Sequence, residues 1–149
     1  MNGFEAPVHV SWARNSRSAL VRVPVTKRGK ESVATRIEYR ALDAACNPYL
    51  AYSVMLAAGM AGIEGEYELP DEATVNLFEM SEADRADAAI TLLPSSLAEA
   101  LDVMEASTLV REALGEHIFE WFLRNKRAEW GEYKAHVSQF ELDRYLKTW

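Results

Sequence analysis

Near residue 42 the hydrophobic pattern of the chain changes period, and this change limits what it can fold into. Before it, Val8, Val10 and Trp12 alternate with His9 and Ser11, and Arg36, Glu38 and Arg40 alternate with Ile37 and Tyr39. Leu20 to Val25 is short and rich in β-branched residues. A period of two puts successive side chains on opposite faces of a strand. Three short strands are therefore expected, with Lys27 to Ser32 as a polar turn around Gly29. After residue 42 the signals are helical. Asn47 followed by Pro48 is an N-cap and first-turn pair, opening a helix that should run to about Gly62. Glu64 to Val75, with Pro70, reads as a loop. Ser81 should cap a short helix over Glu82 to Ala88. Ser96 with Glu99 makes a capping box that predicts a helix over Leu97 to Glu105. A last long helix is expected over Glu116 to Val137, broken from a preceding turn by Gly115. Ile118, Phe122, Trp130, Tyr133 and Val137 fall near one face of it.

The class this implies is α+β, strand-rich over 1–41 and helical over 47–149. Three short strands alone would leave open sheet edges, so the sheet is expected to continue in further chain or a neighbouring subunit. Half the residues are apolar and a quarter charged, which suits a chain with a buried core rather than a disordered one. The longest mostly apolar stretch, Ala51 to Ile63, is too short to cross a bilayer, and Glu5 interrupts any signal-like start. No membrane partner is expected. The single cysteine, Cys46, cannot form an internal disulfide, and it reads as a small buried residue in a reducing cytoplasm.

Charge is unevenly placed. Residues 1–40 carry eight Lys or Arg against three acids, and the rest carry eight against twenty, within an overall −7. A positive segment on an acidic chain fits a local anionic ligand; a solvated basic face is the plainer alternative. Nucleic acid is disfavoured, because the basic residues form no long run. The informative set is Arg17, Arg22, Arg36, Glu38 and Arg40. Arginine's planar fork donates paired hydrogen bonds to phosphate or carboxylate and keeps its charge. A carboxylate among arginines stays ionised, and an ionised carboxylate is a hard ligand for magnesium. Spacing alone leaves two readings open, a metal-nucleotide site and a cross-strand ladder of ion pairs. His9, His117 and His136 show no metal-ligand spacing among themselves.

Four motifs then stand in order: Asn2-Gly-Phe-Glu-Ala-Pro7, Ser16-Arg-Ser-Ala-Leu-Val-Arg-Val-Pro24, Arg36-Ile-Glu-Tyr-Arg40 and Asn47-Pro-Tyr-Leu50. Ala113-Leu-Gly-Glu-His117, Lys126-Arg-Ala-Glu-Trp130 and Phe140-Glu-Leu-Asp-Arg-Tyr145 follow. Over essentially its whole length the chain resembles bacterial type I glutamine synthetases, in the C-terminal part of the catalytic domain. The resemblance implies short antiparallel strands followed by a helical region, with the N-terminal β-grasp domain outside this sequence. It implies ligation of ammonia to glutamate with ATP, through γ-glutamyl phosphate and with Mg2+ or Mn2+. It assigns Glu5 to a flap that closes over glutamate and helps deprotonate ammonium. Arg17 contacts the transferred phosphate and glutamate, Arg22 and Arg36 hold ATP phosphates, Glu38 binds the metal, and Arg40 binds glutamate. It further implies a homo-oligomer, a dodecamer of two hexameric rings, with the apolar tail of Phe140, Leu142, Tyr145, Leu146 and Trp149 suited to docking.

The chain departs from the family pattern in places. Ser16 stands where an asparagine is common, and Val33 where many relatives place a lysine, which leaves Lys27 or Lys30 to substitute. The other metal ligands are expected outside these residues, so the 149 residues alone are expected to be inactive. Asn76-Leu77-Phe78 stands where many bacterial members carry an adenylylated tyrosine, and phenylalanine lacks the oxygen that modification needs. Two other readings are a γ-glutamyl-amine (polyamine) ligase of the same fold and a non-catalytic binding or assembly module.

Overall fold

The computed structural model describes residues 7–14, 16–74, 80–87 and 90–146. These form two compact units, Met1–Ala51 with Gly62–Leu93, and Tyr52–Ala61 with Pro94–Trp149.

The first unit holds a three-stranded sheet in the order β1 (Trp12–Arg14), β2 (Val21–Val23), β3 (Glu38–Tyr39). The β2–β3 pair is antiparallel, with Arg22 opposite Glu38 and Val21 opposite Tyr39. The β1–β2 pair is parallel, with Trp12 opposite Val21 and Arg14 opposite Val23, which corrects the expectation of antiparallel strands throughout. Parallel neighbours ordinarily need a long crossover. Here the strands are so short that the segment between Arg14 and Val21 suffices to bring the chain back. Ala13, Ala19 and Leu20 are buried, which anchors that return.

The edge of β1 is not open as expected. Ala73 N–H donates to Trp12 O at 3.0 Å, and Trp12 Nε1–H donates to Pro70 O at 2.6 Å. Arg14 N–H donates to Glu72 Oε1 at 2.7 Å, and the two side chains pair at 3.1 Å. Upstream, His9 bridges Leu92, with Val10 N–H on Thr91 O and Leu93 N–H on Val8 O, both 2.8 Å. The 8–14 segment thus borrows partners from residues 70–73 and 91–93, far along the chain, which no local pattern announces.

The turn around Gly29 forms as expected, with φ of 82° at the glycine. It runs into a short helix, α1 (Glu31–Ala34), whose first two residues fall in the expected turn and whose last two precede the expected strand. Helix α2 (Pro48–Glu64) starts where Asn47 predicts: Asn47 Oδ1 accepts from Tyr49 N–H at 3.0 Å. In α3 (Glu82–Asp87), Ser81 Oγ accepts from Asp84 N–H at 3.1 Å.

The second unit packs α4 (Leu97–Glu105), α5 (Thr108–Leu114) and α6 (Glu116–Ala135) around Leu101, Phe119 and Leu123, and α7 (Gln139–Tyr145) follows. Leu97, Met104, Val110 and Leu114 pack against that cluster. Ser96 caps α4 by accepting from Glu99 N–H at 3.2 Å. The Glu99 carboxylate reaches back one residue further than a capping box requires, to Ser95 N–H and Oγ at 2.8 and 2.9 Å. A complete capping box forms instead at α7, between Ser138 and Glu141. Gly115, at φ 74°, separates α5 from α6 in a left-handed conformation that glycine adopts without strain. The face expected on α6 is not its core face. Ile118, Tyr133 and Val137 are exposed and Phe122 and Trp130 only half-buried, whereas Phe119 and Leu123 are buried. The adjacent pairs Ile118-Phe119 and Phe122-Leu123 offer two stripes about 100° apart. The cluster with α4 and α5 selects the second.

Candidate functional site

The antiparallel register sets Glu38 directly across from Arg22, so their side chains share a face of the sheet. Arg22 Nη1–H donates to Glu38 Oε2 at 2.7 Å. Arg36, just ahead of β3, donates to Glu38 Oε1 from Nη2 at 2.8 Å and from Nε at 3.2 Å. Each carboxylate oxygen thus meets a guanidinium. The Arg22 bond, then the Arg36 bond, holds the Glu38 carboxyl below its ordinary value, against a smaller opposing effect of desolvation. Arg22 Nε is buried and has no hydrogen-bond partner among the described residues.

Arg17 is exposed on the return between β1 and β2. Its carbonyl oxygen accepts a hydrogen bond from Arg40 Nη1–H, and Arg40 N–H donates to Leu20 O at 2.9 Å. Three predicted residues, Arg22, Arg36 and Glu38, therefore form one ion-paired cluster, and Arg40 joins the Arg17 return to the end of β3. Glu5 lies outside the described residues, as does Phe78.

Other residues singled out in the sequence take plainer places. Cys46 is exposed, which corrects its reading as a buried residue; it sits just before the Asn47 cap of α2. His9 is buried, and burial first, then Arg85, lowers its pKa from the ordinary value. His117 and His136 are exposed. An open cleft of about 340 Å³ in the second unit is lined by Ala57, Ala61, Thr108, Leu109, Glu112 and Ala113, none of them a predicted site residue.

No group of three or more His, Cys, Asp or Glu able to hold a metal occurs among the described residues. Magnesium bound to nucleotide phosphates commonly takes only one or two protein carboxylates, the rest being phosphate oxygen and water. Glu38, ionised and shared between arginines, fits one corner of such a site and does not complete it.

The family described as glutamine synthetase, catalytic domain, matches residues 1–145. The chain belongs to that family. It is 50% identical over 146 residues to the glutamine synthetase of Mycobacterium tuberculosis, covering 98% of this chain and 32% of the relative. The glutamine synthetase of Methanosarcina mazei is 49% identical over 144 residues, covering 97% and 31%. That of Thermus thermophilus is 44% identical over 147 residues, covering 99% and 32%. The matching relatives are thus bacterial and archaeal alike, and the chain spans about a third of their length. Among solved structures, a ligand-free GmaS superposes with a TM-score of 0.75 at 28% identity, over 95% of this chain and 30% of that one. A Plasmodium falciparum glutamine synthetase superposes at 0.76 with 21% identity, over 96% and 35%, a likeness of fold. The mixed strand-and-helix architecture is thus that of the glutamine synthetase catalytic domain.

Sequence reading missed what holds this face in place. Glu72 and Pro70, which tie down β1, lie in a stretch read only as a loop. The hydroxyls of Ser16 and Ser18, 2.8 Å apart, shape the return that presents Arg17. The serine-arginine-serine run was the one available signal.

Proposed function

We propose that this chain supplies the nucleotide and glutamate face of a glutamate–ammonia ligase of the bacterial type I kind, as part of its catalytic domain. The observation that carries this is Glu38 held between Arg22, opposite it in the sheet, and Arg36, just ahead of β3, in a chain of the glutamine synthetase family. In this reading a γ-carboxylate oxygen of glutamate attacks the γ-phosphorus of ATP and ADP leaves. Ammonia then attacks the acyl carbon and phosphate leaves. Arg22 and Arg36 bind phosphate oxygens, and the buried Nε of Arg22, without a partner among the described residues, supports that role, since a buried donor without an acceptor is costly. Arg17 meets the transferred phosphate and glutamate. Arg40 binds a glutamate carboxylate, and Glu5 takes the proton from ammonium. Glu38 would be one ligand of Mg2+ or Mn2+, which when bound would offset the negative charge of the nucleotide phosphates. A homo-oligomer, a dodecamer of two hexameric rings, and a cytoplasmic setting belong to the same reading.

Steady-state kinetics on the full-length protein carrying this sequence test the assignment. Glu38→Ala should raise the KM for Mg-ATP, and Arg40→Ala the KM for glutamate. Losing one charged contact to a buried ligand costs roughly 2–5 kcal/mol. Variants with unaltered constants for both substrates would refute it.

A further inference from the structure

We infer that Arg40 is also a positioning residue, holding the return that presents Arg17 and so coupling the two ends of the site. The kinetic part of this inference rests on the ligase reading above; the structural part does not. Arg40 is fastened at its backbone by N–H donation to Leu20 O at 2.9 Å, which fixes the root of its side chain beside β2. Its Nη1–H then donates to the carbonyl oxygen of Arg17. That carbonyl lies in a tight return built from short polar contacts. Ser16 N–H donates to Arg14 O at 2.8 Å, Ser18 N–H to Ser16 Oγ at 3.3 Å, and the two serine hydroxyls lie 2.8 Å apart. Ala19 and Leu20 are buried immediately after it, so the return is pinned on its downstream side. The Arg17 side chain itself is exposed.

A guanidinium carries five donors in a rigid plane. A guanidinium that gives one donor to a carbonyl can still address a carboxylate with another edge, so an arginine can serve two partners at once. A lysine presents a single rotatable ammonium and has no such second edge. A carboxylate bound at Arg40 therefore stiffens the return that carries Arg17, and an anion bound at Arg17 stiffens Arg40. Thermodynamic linkage makes that effect reciprocal.

Two readouts on the full-length protein test this. The first is amide exchange without ligand. Arg40→Ala and Arg40→Lys should speed exchange at Ser16 to Ala19 by roughly threefold or more, with α6 unchanged. Unchanged exchange in that return would overturn the inference, whether or not the protein proves to be a ligase. The second is a double-mutant cycle on turnover. Arg40→Ala should lower kcat about tenfold in the parent but less than about twofold in an Arg17→Ala background, because residues that act through each other are not additive. Equal losses in both backgrounds would show that Arg40 only binds glutamate. Should Arg40→Ala fail to fold, Arg40→Lys carries both measurements. A parent that forms no glutamine would defeat the ligase reading and leave exchange to decide the positioning role.

Discussion

Glu38 meets a guanidinium at each oxygen, and its protonation follows from that. Arg22 first and Arg36 second hold its pKa below the ordinary glutamate value of 4.5. A group depressed in the folded state stabilises the fold in full above its unfolded value. That contribution is lost as pH falls through the lowered folded value. The carboxyl carbon of Glu38 should therefore titrate with a midpoint below 4.5, and Glu38→Gln should blunt the loss of stability in acid. A midpoint at or above 4.5 by NMR would contradict the paired geometry. The Arg36–Glu38 contact was legible, because the two residues stand two apart in an alternating run. The Arg22–Glu38 contact was not, because it depends on register between strands. A second residue-scale expectation concerns Phe78, which offers no phenolic oxygen. Incubation with an adenylyltransferase and ATP should leave the intact mass unchanged, and an added AMP mapped to residues 74–80 would refute this.

At the scale of elements, local signals were read well and packing was not. Asn47-Pro48, Ser81, Ser96 and Gly115 act on their own neighbours, so each marked a helix boundary that the fold retains. The core face of α6 depends on α4 and α5, and a one-residue offset in a broad apolar stripe decided it. Truncating Phe119, which is fully buried, to alanine should cost about 3–5 kcal/mol in chemical denaturation. Ile118→Ala, at a position 41% exposed, should cost about 1 kcal/mol or less. Equal effects would mean that the two stripes share the core. The strands are two or three residues long, and one flank of β1 relies on loop residues. Their amides should exchange faster than those of α6, which hold the Phe119–Leu123 cluster. Strands as well protected as α6 would contradict this.

Over the molecule as described, residues 7–14, 16–74, 80–87 and 90–146, little apolar surface is buried for so apolar a chain. Among the described residues the buried hydrophobics named above are few. Tyr49, Tyr52, Leu56 and Ile63 of α2 are all exposed, and the helix carries no charge before Glu64. Exposed apolar surface of this extent is characteristic of interaction faces. No helix among the described residues is long and apolar enough to cross a membrane. The family, the α+β class and the arginine-rich face were all legible, because motifs and alternation are properties of contiguous residues. The borrowed partners of β1 were not, because they join residues far apart in the chain. In the proposed function, the Arg22–Glu38–Arg36 cluster serves ATP-dependent glutamine formation. The most direct test supplies glutamate, ATP, ammonium and Mg2+ to the purified full-length protein carrying this sequence, and follows glutamine and inorganic phosphate together. They should form in equal amounts, with kcat/KM for Mg-ATP reduced about thirtyfold or more by Glu38→Ala. A protein that forms no glutamine, or a Glu38→Ala variant as active as its parent, would contradict it.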